Sequence, residues 1–486
     1  MSDKLSRRGF LEQSLITAAA GIAGMASSGS AYAAHNEIFE KQSKSANEKI
    51  HIAVIGLNGR GGSHLDAYLN RDDVEVVALC DVDLSVVERA SERVKKKGRT
   101  VPAGYQDIRK LLELKGLDAV SIATPNHWHS LAAIWALQSG KDVYVEKPVS
   151  HNVHEGRVLV DTARKYNRIC QAGTQSRSAK ACQDATEYIH SGHIGKVLLS
   201  RGLCYKPRNT IGKISSPTPV PDGVDYDLWL GPAPQKPINR QRFHYDWHWF
   251  WDYGNGDLGN QGIHQMDIAR WALNKNHLPS SVFSLGGRFG YVDDGETPNT
   301  ELSFFDYGDS HLVFEVRGLK TSDLKGAKVG NIVYGTEGYV VITDNYGKAA
   351  AFDNQDRQVQ TFEGGGDHFG NFLSALRSRK RGDLNGEIEK GHLSSALCHL
   401  GNISYRLGSK HSFADDPKSL DKDQKETFAR FKSHLNDNEV DLKTTQYALG
   451  PVLKIDAKRE RFKDSAEANQ MITREYRAGF VVPDKA

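Results

Sequence analysis

Cysteine is scarce in this chain, with five in 486 residues, at positions 80, 170, 182, 204 and 398. The number is odd, and no pair stands in a Cys-x-x-Cys or Cys/His zinc spacing. Neither a disulfide scaffold nor a zinc module is therefore expected, and no metal site is assigned. Cys80 and Cys170 fall inside apolar runs and are expected in the core. A surplus of one charge is also missing, with 63 Lys and Arg against 60 Asp and Glu. At a formal net charge of +3, and without a basic stripe along a helix, nucleic acid is not an expected partner. The run Lys95-Lys96-Lys97 closes an apolar-periodic segment just before Gly98, where cations at a helix C-terminus belong. No segment reaches the roughly 18 consecutive apolar residues of a spanning helix, so no membrane is expected as a partner once the N-terminal signal is removed. There are no internal repeats.

The start of the chain reads Ser6-Arg7-Arg8-Gly9-Phe10-Leu11, then a modestly apolar stretch from Leu15 to Ala26, then Ala31-Tyr32-Ala33. Paired arginines, a short apolar region and a small-x-small cleavage site in that order predict a twin-arginine signal peptide over residues 1–33. The expected destination is periplasmic or extracellular. Residues 34–48 are polar and read as a linker.

From residue 49 the chain alternates. The β-rich run His51-Ile52-Ala53-Val54-Ile55 enters Gly56-Leu57-Asn58-Gly59-Arg60-Gly61-Gly62, and a helical pattern follows through Leu69. A glycine turn between strand and helix lets backbone approach a pyrophosphate, while the helix start offers free N–H groups. The middle glycine of the usual G-x-G-x-x-G is Asn58 here. A second strand, Val74–Cys80, ends at Asp81, about 20 residues past the glycines, where an acid can accept hydrogen bonds from the adenosine ribose. The same acid would repel a 2′-phosphate and favours NAD over NADP. Further strands are expected at 118–123, 142–145 and 169–172, with helices at 84–97, 129–139 and 153–166. Repeated βα units predict a doubly wound parallel sheet of the α/β class.

Polar motifs fall at successive strand ends, where such sheets bind ligands. They are Thr124-Pro125-Asn126-His127-Trp128-His129, then Glu146-Lys147-Pro148, then Gly173-Thr174-Gln175-Ser176-Arg177. A fourth motif, Gly254 to Asp267, runs into a helix and spaces Asn260, His264 and Asp267 at i, i+4 and i+7, on one helix face. Beyond Ser176, alternating apolar runs at 197–204, 282–289, 301–305, 311–316, 332–334 and 339–342 predict a mostly antiparallel sheet. Residues 205–253 form a long insert rich in proline and aromatics, including Phe243-His244-Tyr245-Asp246-Trp247-His248. Its aromatics either pack the insert onto its domain or present faces to a sugar. His244 and His248 also stand at a spacing open to metal ligation. Leu393 to Leu407 reads as a helix ending at Gly408, and residues 412–445 as a charged, exposed stretch.

The glycine turn, Thr-Pro-Asn-x-x-His, Glu-Lys-Pro and the glycine-rich helix, in that order, resemble the glucose–fructose oxidoreductase/inositol dehydrogenase (Gfo/Idh/MocA) family over roughly residues 50–450. The resemblance implies a Rossmann domain at 49–175 and an α+β domain for substrate and oligomerisation at 176–455. Residues 456–486 are left as a tail. It implies NAD bound by Gly56, Asn58, Gly59, Arg60, Gly61, Asp81, Thr124, Pro125, Asn126, His129, Glu146 and Lys147. Lys147 and His264 are then the candidate proton-transfer residues, and Gln175, Arg177, Asn260, His264 and Asp267 the candidate substrate contacts. The family pattern carries a carboxylate where this chain has Asn260, and an amide cannot stabilise a protonated imidazole as a carboxylate does. The implied function is NAD(P)-dependent oxidation of the carbinol of a sugar, cyclitol or derivative, by a homo-oligomer. Two alternatives stay open: a glycosidase or lyase running a closed redox cycle on bound NAD, and a non-catalytic sugar-binding protein.

Overall fold

The computed structural model describes residues 48–486, apart from Asp344, Asp415, Lys418 and Ser419. The predicted signal peptide and all but the last residue of the predicted linker lie outside the described residues.

The first domain alternates strand and helix: β1 (Ile50–Ile55), α1 (Arg60–Leu69), β2 (Val74–Cys80), α2 (Leu84–Lys96), β3 (Ala103–Tyr105), α3 (Ile108–Leu112), β4 (Ala119–Ile122), α4 (Asn126–Gln138), β5 (Asp142–Val145), α5 (Val153–Lys165) and β6 (Cys170–Ala172). The six strands are all parallel and run in the order β3-β2-β1-β4-β5-β6. The order reverses between β1 and β4, and the carboxyl ends there open a crevice that no strand fills. Central strands β4 and β5 are buried along their whole length, which their near-continuous apolar sequence requires of a sheet covered on both faces. The expected strands and helices are present with small shifts at their ends. β3 and α3 were not expected, because each is too short to leave a period in the sequence.

The second domain follows with α6 (Lys180–His190), β7 (Val197–Tyr205), α7 (Tyr226–Leu230), α8 (Gly256–Asn260), α9 (Gly262–Ala272), β8 (Ser281–Gly287), β9 (Thr300–Asp306), β10 (His311–Arg317), β11 (Val329–Gly335), β12 (Gly338–Ile342), β13 (Lys348–Asp353), β14 (Gln358–Glu363), α10 (His368–Ser378) and α11 (Ile388–Arg406). It closes with β15 (Ser409–Ser412), α12 (Lys422–Asp437), β16 (Gln446–Leu449), β17 (Leu453–Asp456), β18 (Arg461–Phe462) and α13 (Ala466–Gln470). The strands form one sheet in the order β14-β13-β12-β11-β7-β10-β9-β8-β16-β15, with β17 also on β8. All its pairings are antiparallel except β7 with β10. Apolar side chains of α9 and α11, among them Met266, Leu393, Leu397 and Ile403, cover one face against Phe305, Leu312 and Phe314. On the other face α12 packs Phe428, Phe431 and Leu435 against Phe283, Phe304 and Val313. This corrects the expectation of an exposed stretch over 412–445. Most charges of α12 are exposed, though Arg430 reaches in to the buried Glu315 (2.8 Å), while Phe428, Phe431 and Leu435 fall on one face at helical spacing.

Two late segments return to the first domain. Phe369, Phe372, Leu373 and Leu376 of α10 join the core formed by β1, α1 and β2, and Phe480 and Val482 join the one lined by α4 and α5. All five cysteines are buried and unpaired. Among the described residues, no helix is long and apolar enough to cross a membrane.

Candidate active site

A cleft of about 410 Å³ lies at the carboxyl ends of β1, β2, β4 and β5. Its floor is the turn between β1 and α1. Gly56 has φ +78°, and a Cβ there would lie 2.7 Å from the backbone of Ala123 and Thr124. A Cβ on Gly61 would lie 1.7 Å from Gly56 O, so glycine is required for α1 to pack down onto the strand. Gly59, at φ +57°, faces open space within 4 Å. Asn58 is exposed and not in the left-handed region, which is why the middle glycine can be replaced. No side chain caps α1 and its first turn holds no acid; Gly61 N and Gly62 N close the turn onto Asn58 O and Gly59 O, and the positive end of the helix is left to an anion. Asp81 lines the same cleft, and its carboxylate accepts from Leu57 N (2.8 Å) and Asp83 N (3.1 Å). Burial raises its pKa, against these two bonds. An open glycine turn, an uncapped helix start and a fixed acid after β2 together fit a dinucleotide.

The loops after β4 and β5 form the other end. Thr124, Pro125, Asn126, His129, Glu146 and Lys147 all line the cleft. The buried Thr124 Oγ1 has no partner among the described residues, an acceptor and donor held ready inside the site. His129 staples the two loops, with Nδ1 2.6 Å from Pro148 O and Nε2 2.7 Å from Thr124 O. Asn126 Nδ2 donates to Asn255 Oδ1 (3.1 Å), tying α4 to the second domain.

Lys147 N donates to Glu146 Oε2 (3.2 Å), but the Lys147 amine and the Glu146 carboxylate have other side-chain partners. Arg60 Nε donates to Glu146 Oε1 (2.8 Å), and His64 Nε2 lies 3.0 Å from the same oxygen. Arg60 then spans to Gln175 Oε1 (2.8 Å). Burial alone would raise the Glu146 pKa, but Arg60 and His64 hold it well below the usual carboxylate range. Lys147 Nζ instead donates to the backbone carbonyl of Asn260 (2.8 Å). Burial lowers the Lys147 pKa, with Glu146 opposing and nearby cations adding to the fall. The site therefore holds an amine that gives up its proton more readily than an ordinary lysine.

The fourth motif does not form one helix. α8 ends at Asn260, Gln261 is a turn, and α9 begins at Gly262, where a Cβ would collide with Phe314. The break leaves the Asn260 carbonyl to receive Lys147 Nζ. His264 is buried beyond the cleft wall, its ring 5.8 Å from that of Tyr346, with Nδ1 unpartnered. Burial first, then Lys147, press its pKa down to about 3. The imidazole is therefore neutral at ordinary pH, the state a proton acceptor needs, but a weak base.

Arg177 and Asp267, expected to contact substrate, pair with each other and do not line the cleft. Arg177 Nε donates to Asp267 Oδ2 (2.7 Å) and Nη2 to Oδ1 (2.9 Å), and Ser394 Oγ adds a bond to Oδ1 (2.7 Å). Asp267 has no exposure at all, so this bidentate pair is spent inside the protein rather than on a substrate. Gln175 is off the cleft wall as well, engaged with Arg60.

The insert supplies what the sequence reading left open. Trp229, Phe243, Trp247, Trp249, Phe250 and Tyr253 form a core of their own, while Trp229, His244, Tyr245, Trp247 and His248 also line the cleft. The His248 ring stacks on Trp247 at 3.6 Å, and its Nδ1 lies 2.5 Å from Tyr245 O. His244 Nε2 lies 2.9 Å from Asp83 Oδ2. Each histidine has one ring nitrogen engaged, and among the described residues no group of three or more His, Cys, Asp or Glu could hold a metal ion. The lining residues Gln106, Asp107 and Ile108 were missed because they border the unexpected α3.

Residues 50–174 match the family model described as the oxidoreductase family's NAD-binding Rossmann fold, and residues 190–288 match that family's C-terminal alpha/beta domain. A glycosyl hydrolase family 109 protein of Saccharopolyspora erythraea is 32% identical over 213 residues, 41% of this chain and 46% of the relative. An alpha-N-acetylgalactosaminidase of Shewanella oneidensis is 36% identical over 127 residues, 25% of this chain and 28% of the relative. The chain thus matches less than half the length of either. The WlbA dehydrogenase from Bordetella pertussis, solved with NADH and UDP-GlcNAcA, shares the fold at 18% identity and a TM-score of 0.55, over 74% of this chain and 97% of that one. Residues 50–174 and 190–288 thus carry, in order along the chain, the two matched domains of the Gfo/Idh/MocA oxidoreductase family.

Proposed function

We propose that the protein is an NAD-dependent oxidoreductase acting on the carbinol of a sugar, a cyclitol or a close derivative. The observation that carries this is one continuous cleft joining an uncapped glycine turn to the Lys147 amine. The acid at Asp81 favours NAD over NADP, because a 2′-phosphate would meet a carboxylate. When bound, the dinucleotide supplies the hydride acceptor. Lys147 Nζ takes the hydroxyl proton as the carbinol carbon gives up hydride, leaving a carbonyl. The carbonyl of Asn260 aims the amine, while Arg60 and Glu146 neutralise one another beside it. His129 holds the two loops in place. The aromatic faces of Trp229 and Trp247 suit the C–H surface of a sugar ring.

A second reading has one observation in its favour: two relatives are named a glycosyl hydrolase family 109 protein and an alpha-N-acetylgalactosaminidase. In that reading the new carbonyl acidifies a neighbouring C–H, loss of that proton expels the glycosidic oxygen as the aglycone alcohol, water adds to the resulting enone, and the carbonyl carbon takes its hydride back from the dinucleotide. Export by the twin-arginine route, which carries folded proteins, would suit a nucleotide bound before export. Cell fractionation with and without Arg7→Lys/Arg8→Lys tests that destination.

A panel of sugars, glycosides and cyclitols with product mass analysis separates the two. Net NADH with a matching ketone supports the dehydrogenase, and released sugar without net NADH supports the closed cycle. In both, Lys147→Ala is expected to cost about 100-fold or more in kcat. The wild-type rate should rise with pH and level off below pH 10.5, since Lys147 must lose its proton and its pKa is lowered. Wild-type turnover in Lys147→Ala would remove this residue from the chemistry.

A further inference from the structure

The insert over residues 205–253 is fixed across the first domain at two points. Near the end of β2, Asp225 N donates to Val82 O (2.9 Å), Leu84 N to Gly223 O (3.1 Å), and His244 Nε2 meets Asp83 Oδ2 (2.9 Å). Asp83 also forms a bridge with Val224, and Gln106 Nε2 donates to both Val82 O and Gly223 O. At the start of α4, Trp128 Nε1 donates to Leu228 O (3.0 Å), and His127 Nε2 lies 2.9 Å from Trp229 O. The C-terminal segment ties the insert down from outside. Arg477 Nε donates to Gly231 O (2.8 Å), its other nitrogens meet Asp227, and Arg474 Nη1 donates to Asp252 O (2.9 Å).

The β2 anchor stands beside Asp81, at the end of the cleft where the ribose acid sits. There Val82, Ile108 and Leu228 offer apolar surface to a flat ring, and His244, its Nε2 spent on Asp83, offers Nδ1. Resting on the dinucleotide reading above, we propose that the insert completes the adenosine subsite. His244 contacts the adenosine moiety, and the insert must lift off Asp83 before the nucleotide leaves. Arg477 and Asp227, which do not line the cleft, set how often it lifts.

The test follows release of NAD from loaded protein into excess ADP-ribose, and measures ADP-ribose and nicotinamide mononucleotide affinities by calorimetry. Arg477→Ala and Asp227→Asn are expected to speed NAD release about tenfold. His244→Ala is expected to weaken ADP-ribose about tenfold and leave nicotinamide mononucleotide unchanged. Asp227 is exposed, so Asp227→Asn decides the matter if Arg477→Ala does not fold. Unchanged release and ADP-ribose affinity in variants that melt like wild type overturn the proposal alone. Wild-type protein that takes up neither NAD nor ADP-ribose overturns the dinucleotide reading and this proposal with it.

Discussion

A carboxylate with no exposure cannot exchange a bidentate guanidinium for a sugar hydroxyl without leaving a buried cation behind. That is the position of Asp267, whose pKa is held down chiefly by Arg177 against the burial that raises it. Asp267→Asn is expected to cost about 3–5 kcal/mol of stability by leaving Arg177 unpaired in the interior. Urea titration reads that loss. A variant as stable as wild type but with a raised KM would restore Asp267 to the substrate. The same contrast shows what was legible at this scale. Gly56, Gly61, Asp81, Thr124 and Lys147 could be found because each stands where a strand ends, and strand ends carry function in a parallel sheet. Charge, however, does not name its partner. Nothing local in Glu146-Lys147 says that the acid turns to Arg60 and His64 while the amine reaches a carbonyl 113 residues away.

Among the elements, those with a clear period were legible and those defined by distant contacts were not. The helix break at Gln261 arises because Gly262 must sit against Phe314 of β10, a contact invisible in the run of residues 254–267. α10 is the stronger case. It stands almost 200 residues beyond β6 in sequence, yet Phe372 is fully buried among Val74, Tyr144 and their neighbours of the first domain. Phe372→Ala is expected to cost about 3–5 kcal/mol, and to do so at the first domain rather than the second. Hydrogen exchange checks the location: amides of β1, β2 and α1 should lose protection before those of β8 to β10. Equal loss in both sheets would mean that the two domains open as one unit.

Across the whole molecule, buried titratable groups set opposing limits on stability. His127, His248, His264 and His399 have pKa values of about 3 in the folded protein, and His368 and His434 about 4, each lowered from 6.5 by burial. Their contribution is present above the unfolded value and is lost as pH falls below it. Glu155 and Glu301 behave oppositely, raised from 4.5 to about 7 and about 8 by burial. Their contribution is present below 4.5 and is lost as pH rises through those values. Between about pH 4.5 and 6.5 the unfolded chain binds more protons, so stability climbs with pH; above about 6.5 the two carboxyls reverse the slope. Tm should therefore peak near pH 6–7 and fall more steeply on the acid side, as scanning calorimetry can record. A Tm that is flat from about pH 5 to 7 would show these histidines are solvated. The burial that shifts these groups also encloses every sulfhydryl: Cys80, Cys170, Cys182, Cys204 and Cys398 are all walled off, and burial pushes the thiol of each upward. The folded chain offers no thiolate to an oxidant or to another protein's disulfide. It can pass from a reducing to an oxidising compartment with its covalent structure intact, needing neither an isomerase nor a reductant on arrival.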